Sequence, residues 1–288
     1  MSRFTVLGAN GFIGAAMTAH LRAAGHAVNA IGRAGMAEFL TDCRPAGHVI
    51  YCIGLTGDFR ARPLETADAH VGLVGRVLAH ADLASFLYLS STRVYARADT
   101  GREDSVLVAQ PTAASDLYNI TKLAGEALCL SDARPTVRAA RLSNVYGPGM
   151  GTDSFLGQVL AEGAATGGVT LRQNLRSAKD YVALTDVVPA LHAIAERGQA
   201  RLYNVASGAN ITHDQIAGVL TRSFGWSIAV DENAAGVRFP RIDTNRLSIE
   251  FGPPRRALLD DLPQLGAALG ALSGAALGGV MQRQEVAC

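Results

Sequence analysis

The chain has 288 residues, a formal net charge of +1 at pH 7 and a hydrophobic share of 49%. That length suits one large α/β domain, or a medium domain with a smaller companion, and the apolar share is ample for a buried core. Near-neutral charge lacks the electrostatic footprint of a nucleic-acid binder, whose affinity rests on phosphate neutralisation, so no nucleic-acid partner is expected.

Arg3 to Leu7 reads as a short buried strand, and Gly8-Ala9-Asn10-Gly11-Phe12-Ile13-Gly14 follows at once. Ala15 to Ala24 is helix-compatible, Gly25-His26 closes that helix, and Ala27 to Ile31 reads as a second strand. Strand, glycine loop, helix and strand within about thirty residues make the loop a dinucleotide-binding candidate. One glycine serves a tight turn, one lets the backbone approach a pyrophosphate, and one lets helix and strand pack closely. The helix N-terminus offers free N–H groups and the positive end of its dipole to the phosphates. Gly8, Asn10, Gly11, Phe12, Ile13 and Gly14 are therefore the candidate cofactor-binding residues.

The second strand runs into Gly32-Arg33, with no acid for a ribose 2′-hydroxyl. A guanidinium pairs bidentately with a 2′-phosphate, so NADP is expected through Gly32 and Arg33. NAD is the alternative, in which Arg33 is simply an exposed loop residue.

Further strands are read at Val49–Ile53, Phe86–Ser90 and Arg138–Leu142, with helices at about Glu65–Ala81 and Ala113–Leu130. The alternation argues a parallel sheet covered on both faces. The interval from Arg33 to Val49 is too short for an extra strand-helix unit, so a trimmed sheet is expected. Cys43, Cys52, Cys129 and Cys288 show no C-x-x-C spacing, and the first three read as buried free thiols in a reducing compartment. No signal peptide is read at the N-terminus, so a cytoplasmic location is expected. The uncharged Ala/Gly/Leu-rich run Leu265–Met281 is short for a membrane span and weak as a helix, and a loosely packed end is expected. His20, His26, His48, His70, His80, His192 and His213 are scattered, and neither a catalytic role nor a metal site is assigned to them.

Ser90-Ser91-Thr92-Arg93-Val94-Tyr95 stands at the carboxyl end of a strand, where ligands of such sheets bind. Tyr118-Asn119-Ile120-Thr121-Lys122 opens the helix that follows. A spacing of four puts Tyr118 and Lys122 on one face. The ammonium is expected to lower the phenol's pKa, so that Tyr118 exchanges a proton with a carbonyl or carbinol oxygen.

In order and separation, the G-x-x-G-x-x-G loop, the S-S-x-x-V-Y segment and Y-x-x-x-K resemble the extended short-chain dehydrogenase/reductase family. That family includes nucleotide-sugar epimerases, dehydratases and ketoreductases. The resemblance covers residues 3 to about 252. It implies Ser91 as the catalytic hydroxyl, with Thr92 the close alternative, and Lys122 as a holder of the nicotinamide ribose beside Tyr118. Ser143-Asn144-Val145-Tyr146-Gly147-Pro148 resembles the family's crossing to the substrate domain, where Asn144 would contact a nucleotide diphosphate; the alternative is an Asn satisfying a turn. Lys179-Asp180-Tyr181-Val182 resembles R-D-[FY]-[IV], with Lys179 in place of the planar Arg. Tyr203-Asn204-Val205-Ala206-Ser207-Gly208 matches the turn before a late helix. Arg93 and Arg241 are further substrate candidates, Arg93 either pointing at a polar sugar substituent or lying on the surface.

The implied fold is α/β, a Rossmann-like doubly wound parallel sheet with a smaller C-terminal substrate-binding domain. The boundary falls at 143/144, with about 179–198 packing back on the first domain. The implied activity is NADPH-dependent reduction of a keto group on a nucleotide-linked sugar, in a homodimer. An NAD-dependent epimerase and a non-catalytic NADP-binding sensor are the alternatives. A dehydratase would place an acid pair where Thr92-Arg93 stands, which counts against dehydration.

Overall fold

A computed structural model describes residues 1–42, 44–55, 57–79 and 82–268. The elements run β1 (Arg3–Leu7), α1 (Phe12–Ala23), β2 (Ala27–Ile31), α2 (Met36–Thr41), β3 (Gly47–Tyr51), α3 (Pro63–Ala67), α4 (Leu73–Leu78), β4 (Leu83–Ser91), α5 (Asp116–Ser131), β5 (Val137–Leu142) and β6 (Asn144–Tyr146). They continue as α6 (Phe155–Thr166), β7 (Gly168–Gln173), β8 (Ala178–Ala183), α7 (Leu184–Arg197), β9 (Leu202–Val205), β10 (Asn210–Thr212), α8 (His213–Phe224), β11 (Ser227–Ala235) and α9 (Asn245–Phe251). The described chain forms two compact units. The first holds Met1–Val145, Asp180–Ala209 and Phe239–Arg255, and the second holds the rest.

The first unit is built on a six-stranded sheet in the order β2-β1-β3-β4-β5-β9, with every neighbouring pair parallel. Side chains alternate along each strand, so each sends one set to each face. Phe4, Val6, Ile50, Leu87, Leu89, Ala140 and Leu142 pack with Met17 and Leu21 of α1 and Leu191 and Ile194 of α7. Leu7, Val49, Tyr51, Phe86, Tyr88, Val137 and Ala139 pack on the other face with Phe39, Val74, Val77 and Cys129. The order reverses direction between β1 and β3, and the crevice at such a reversal is where doubly wound sheets bind ligands. Among the described residues no strand pairs beyond β2, in keeping with the trimmed sheet that the short interval before β3 led us to expect.

The helix expected from about Glu65 is present but interrupted. Between α3 and α4 the backbone widens into a π-helical turn, Asp68–Gly72, which buries Ala69 and His70. Such turns concentrate at functional sites.

The second unit pairs β7 with β11 in parallel and packs α6 against β7. Gly163 of α6 faces Trp226 so closely that a Cβ would stand 2.2 Å from the indole, which explains the glycine inside a helix. Tyr146 donates to Asp261 at 2.8 Å, on a helical stretch over residues 258–268. Most of the Ala/Gly/Leu-rich run, with Cys43, His80 and Cys288, lies outside the described residues. Cys52 and Cys129 are free thiols, Cys129 fully buried and Cys52 partly so. Among the described residues no helix is long and apolar enough to cross a membrane.

Candidate active site

The glycine loop closes the end of β1. Gly8 N–H and Ala9 N–H donate to Ile31 O at 2.8 and 3.1 Å, and Gly11 N–H returns to Gly8 O at 3.0 Å. Gly8 has φ +81°, and a Cβ there would press on the Cys52 carbonyl at 3.0 Å. Gly14 has no room either, its Cβ position lying 2.2 Å from Gly8 O. Gly11 differs, since a Cβ there meets nothing nearer than Gly8 O at 3.4 Å. Packing therefore does not demand that glycine. Its bareness leaves the N-terminus of α1 open, and α1 carries no side-chain cap. Phe12 and Ile13 open the helix beside it.

Unsatisfied N–H groups at an uncapped helix start, reached across a bare glycine, fit a dinucleotide pyrophosphate. At the end of β2, Gly32 lies against Asn10, whose Nδ2 would be 2.6 Å from a Cβ. Arg33 follows, exposed, and its guanidinium makes no ion pair or hydrogen bond among the described residues.

Ser91, Thr92, Arg93, Tyr118 and Lys122 come together at the carboxyl end of β4. Ser91 ends the strand, and its Oγ accepts from Arg93 N–H at 3.2 Å. Tyr118 and Lys122 lie on the buried face of α5. Lys122 Nζ donates to Leu89 O at 2.8 Å and lies 5.9 Å from the Tyr118 ring centre. Arg93 stacks over the Tyr118 ring at 5.5 Å and over Phe59 at 5.3 Å, so it faces the site rather than the surface. Thr92 is buried in the turn beneath.

The electrostatics correct one expectation. Burial dominates at Tyr118 and holds its phenol above the ordinary value, while a hydrogen bond with Ser91 and the charge of Arg93 pull it back. Lys122 is itself driven down to about 7 by burial, and the charges that act on the phenol are outweighed by its own burial. Tyr118 is thus held as a protonated phenol at neutral pH.

Residues 4–206 match the NAD dependent epimerase/dehydratase family. The chain belongs to that family. The family's description is one of NAD dependent epimerases and dehydratases. A curated relative, dTDP-glucose 4,6-dehydratase of Streptomyces griseus, is 26% identical over 180 residues; the match takes in 59% of this chain and 53% of the relative, about half its length. RMD from Pseudomonas aeruginosa, complexed with NADPH, shares 21% identity and superposes with a TM-score of 0.80, covering 94% of this chain and 100% of the other. UDP-glucuronic acid 4-epimerase from Bacillus cereus, with UDP-glucuronic acid and NAD, gives 18% and 0.79, covering 94% and 99%. dTDP-glucose 4,6-dehydratase from Bacillus anthracis, with NAD, gives 15% and 0.75, covering 93% and 96%. At these identities the likeness is one of fold, and it spans proteins of different reactions.

Within this family member, the remaining substrate candidates have separate surroundings. Asn144 is exposed and donates from Nδ2 to Asp180 O at 2.7 Å. Arg241 spends Nε on Gly208 O at 2.7 Å and leaves the rest of an exposed guanidinium outward. Lys179 lies in the second unit, its Nζ 5.2 Å over the Phe155 ring, which stacks on His213 at 4.2 Å. Its neighbour Asp180 is structural, accepting from the N–H groups of Ser207, Gly208 and Ala209 and from the Ser207 hydroxyl.

Two features escaped the sequence reading. His70 meets Tyr118 edge-on at 5.4 Å between ring centres. The Thr121 hydroxyl hydrogen goes to backbone carbonyls of its own helix, so His70 Nδ1–H donates to Thr121 Oγ1 at 2.9 Å, and Nε2 accepts from Leu55 N–H at 3.3 Å. That pattern admits only the neutral ring, and burial takes its pKa down to about 3. Behind Lys122 runs a buried network. Glu126 accepts from Ser90 at 2.5 Å and from Arg141 at 2.7 Å, Arg141 donates to Tyr95 Oη at 2.7 Å, and Tyr95 donates to Asn204 at 2.8 Å. Glu126 stands four residues beyond Lys122 on the same helix face, and that spacing is the signal that marks it in the sequence.

Proposed function

We propose that the protein uses NADPH to reduce a keto group on a nucleotide-linked sugar, a reaction of the 4-ketoreductase type. The observation that carries this is the convergence of Ser91, Tyr118 and Lys122 at the end of β4, with Tyr118 kept protonated by burial. Gly8, Asn10, Gly11, Phe12, Ile13 and Gly14 would hold the dinucleotide, with Gly32 and Arg33 at its 2′-phosphate. Bound there, the nicotinamide supplies hydride to the carbonyl carbon. Tyr118 gives its proton to the carbonyl oxygen, and Ser91 donates a hydrogen bond to that oxygen as charge builds. Lys122, anchored on Leu89 O, positions the ribose and the phenol. Thr92 and Arg93 are candidates for the sugar, Asn144 and Lys179 for the nucleotide diphosphate, and Arg241 for a further contact with the substrate. A sequence of Thr and Arg after the catalytic hydroxyl supplies no carboxylate for elimination, which favours reduction over dehydration. The homodimer belongs to the same proposal, supported by exposed Leu128 and Leu130 on α5; light scattering should give about twice the 30.1 kDa chain mass.

Calorimetry with NADPH and NADH on the purified protein tests the cofactor. Preference for NADPH of at least about tenfold, lost in Arg33→Ala, supports a reductase that exchanges its cofactor each turnover. Stoichiometric NAD carried through purification would instead favour the epimerase.

A further inference from the structure

At the amino-terminal end of the sheet, away from the glycine loop, the structure gathers histidines that the sequence keeps far apart. His26 closes the turn between α1 and β2, His192 and Glu196 sit one turn apart on α7, and His20 projects from α1. The imidazoles of His26 and His192 flank the Phe4 ring at 4.9 and 5.2 Å and each other at 4.9 Å. One ligand atom from each of His26, His192 and Glu196 lies within 4.8 Å of the other two. We infer that His26, His192 and Glu196 form a site for a divalent transition-metal ion of the zinc type, separate from the candidate active site.

The hydrogen bonds prepare the ligands. His192 Nδ1 faces His20 Nε2 at 3.1 Å. With His192 as the donor, Nδ1 carries the proton and Nε2 keeps a bare lone pair. That Nε2 is buried and has no hydrogen-bond partner, a vacancy that ordinarily costs stability. It lies 3.8 Å from Glu196 Oε2. A metal-binding histidine commonly has its other ring nitrogen donating to a neighbour, the role His20 takes here. Glu196 is steered from its other oxygen, which accepts from the Ser2 hydroxyl at 3.1 Å.

Competing contacts are weak. Ser2 N–H reaches His26 Nδ1 at 3.3 Å, and Arg197 lies 3.9 Å from Glu196 on a side chain 65% exposed. A tetrahedral zinc brings ligand atoms to about 3.3 Å of one another, so closure by roughly 1.5 Å completes the set. Two imidazoles and a carboxylate leave a fourth position for water, and this borderline donor set suits zinc over calcium or magnesium. The ion would tie the α1–β2 turn to α7.

The test uses the full chain without an affinity tag, stripped with chelator and titrated with zinc chloride in a calorimeter. The expected result is one equivalent bound in the micromolar range, with a rise in melting temperature. His192→Ala and Glu196→Gln should each weaken binding at least about tenfold, and Glu196→Gln alters a side chain 30% exposed, so the fold is kept. Cobalt in place of zinc should give visible ligand-field bands without a thiolate charge-transfer band. Absence of saturable binding below about millimolar, equal affinity in both variants, or a thiolate band would each overturn the site.

Discussion

Along one stripe of α5, Tyr118, Lys122 and Glu126 follow at intervals of four, yet their surroundings differ. Toward the end of β4, Lys122 has the Leu89 carbonyl as its protein partner, and Tyr118 has the Ser91 hydroxyl. One turn further, both Glu126 oxygens are taken, Arg141 is shared between Glu126, Tyr95 and the Glu103 carbonyl, and Asn204 closes the chain of bonds on Gly101 O and Asp243 O. A buried group with every bond made is fixed in place. A buried group with bonding capacity to spare can be completed by a bound molecule. The saturated end holds β4, β5 and α5 in register, and the sparse end is where chemistry has room.

Substitutions at the two ends should therefore separate stability from turnover. Glu126→Ala leaves the Arg141 guanidinium buried without its carboxylate, and urea unfolding should show a loss of about 3–5 kcal/mol, a large part of a typical domain's stability. A loss below about 1 kcal/mol would mean that the network is not what holds this region. Tyr118→Phe should do the reverse, cutting turnover of a keto-sugar substrate by about 10³-fold while moving the unfolding midpoint little. Retained turnover would remove Tyr118 from the mechanism. Tyr95→Phe deletes one hydroxyl from the saturated end and should cost about 1–3 kcal/mol, with KM unchanged.

The last effect is graded by pH. His70 has its pKa lowered to about 3 by burial, against an ordinary value of 6.5. Between those values the unfolded chain binds the extra proton, so stability is fully present above pH 6.5 and falls as the pH drops toward 3. The slope from this residue is at most about 1.4 kcal/mol per pH unit. Denaturation midpoints of the native protein and of His70→Gln, compared from pH 7 to 4, should show the shallower dependence in the variant. Parallel curves would mean that His70 is not held neutral.

The first unit's local elements were legible because each carries its own punctuation. β1 and β2 stand at Arg3–Leu7 and Ala27–Ile31 as read, since Gly8 and Gly25 bracket them and both adopt positive φ. Ser91, Tyr118 and Lys122 could be singled out as candidates because one ends a strand and the others stand near the start of a helix at fixed spacing. What escaped depends on distance through space. His26 and His192 are 166 positions apart, and no periodicity connects them. The π-helical turn that turns His70 inward leaves no composition mark. The pKa of Tyr118 ran opposite to expectation because spacing reports the neighbouring ammonium and says nothing about how dry the site is. Asp180 was quoted within a motif whose function was assigned to Lys179, yet it is Asp180 that binds the turn at Ser207–Ala209.

Among the described residues, β2, which ends at Ile31, has a partner strand on one side only. A row of backbone N–H and C=O groups on its outer side therefore has no neighbouring strand, which is the feature that lets separate molecules add to one another's sheets. Five residues is a short template for such pairing. Brevity at this margin thus serves solubility, and an insertion that lengthened β2 would be expected to produce association between copies before it disturbed the fold of any one of them.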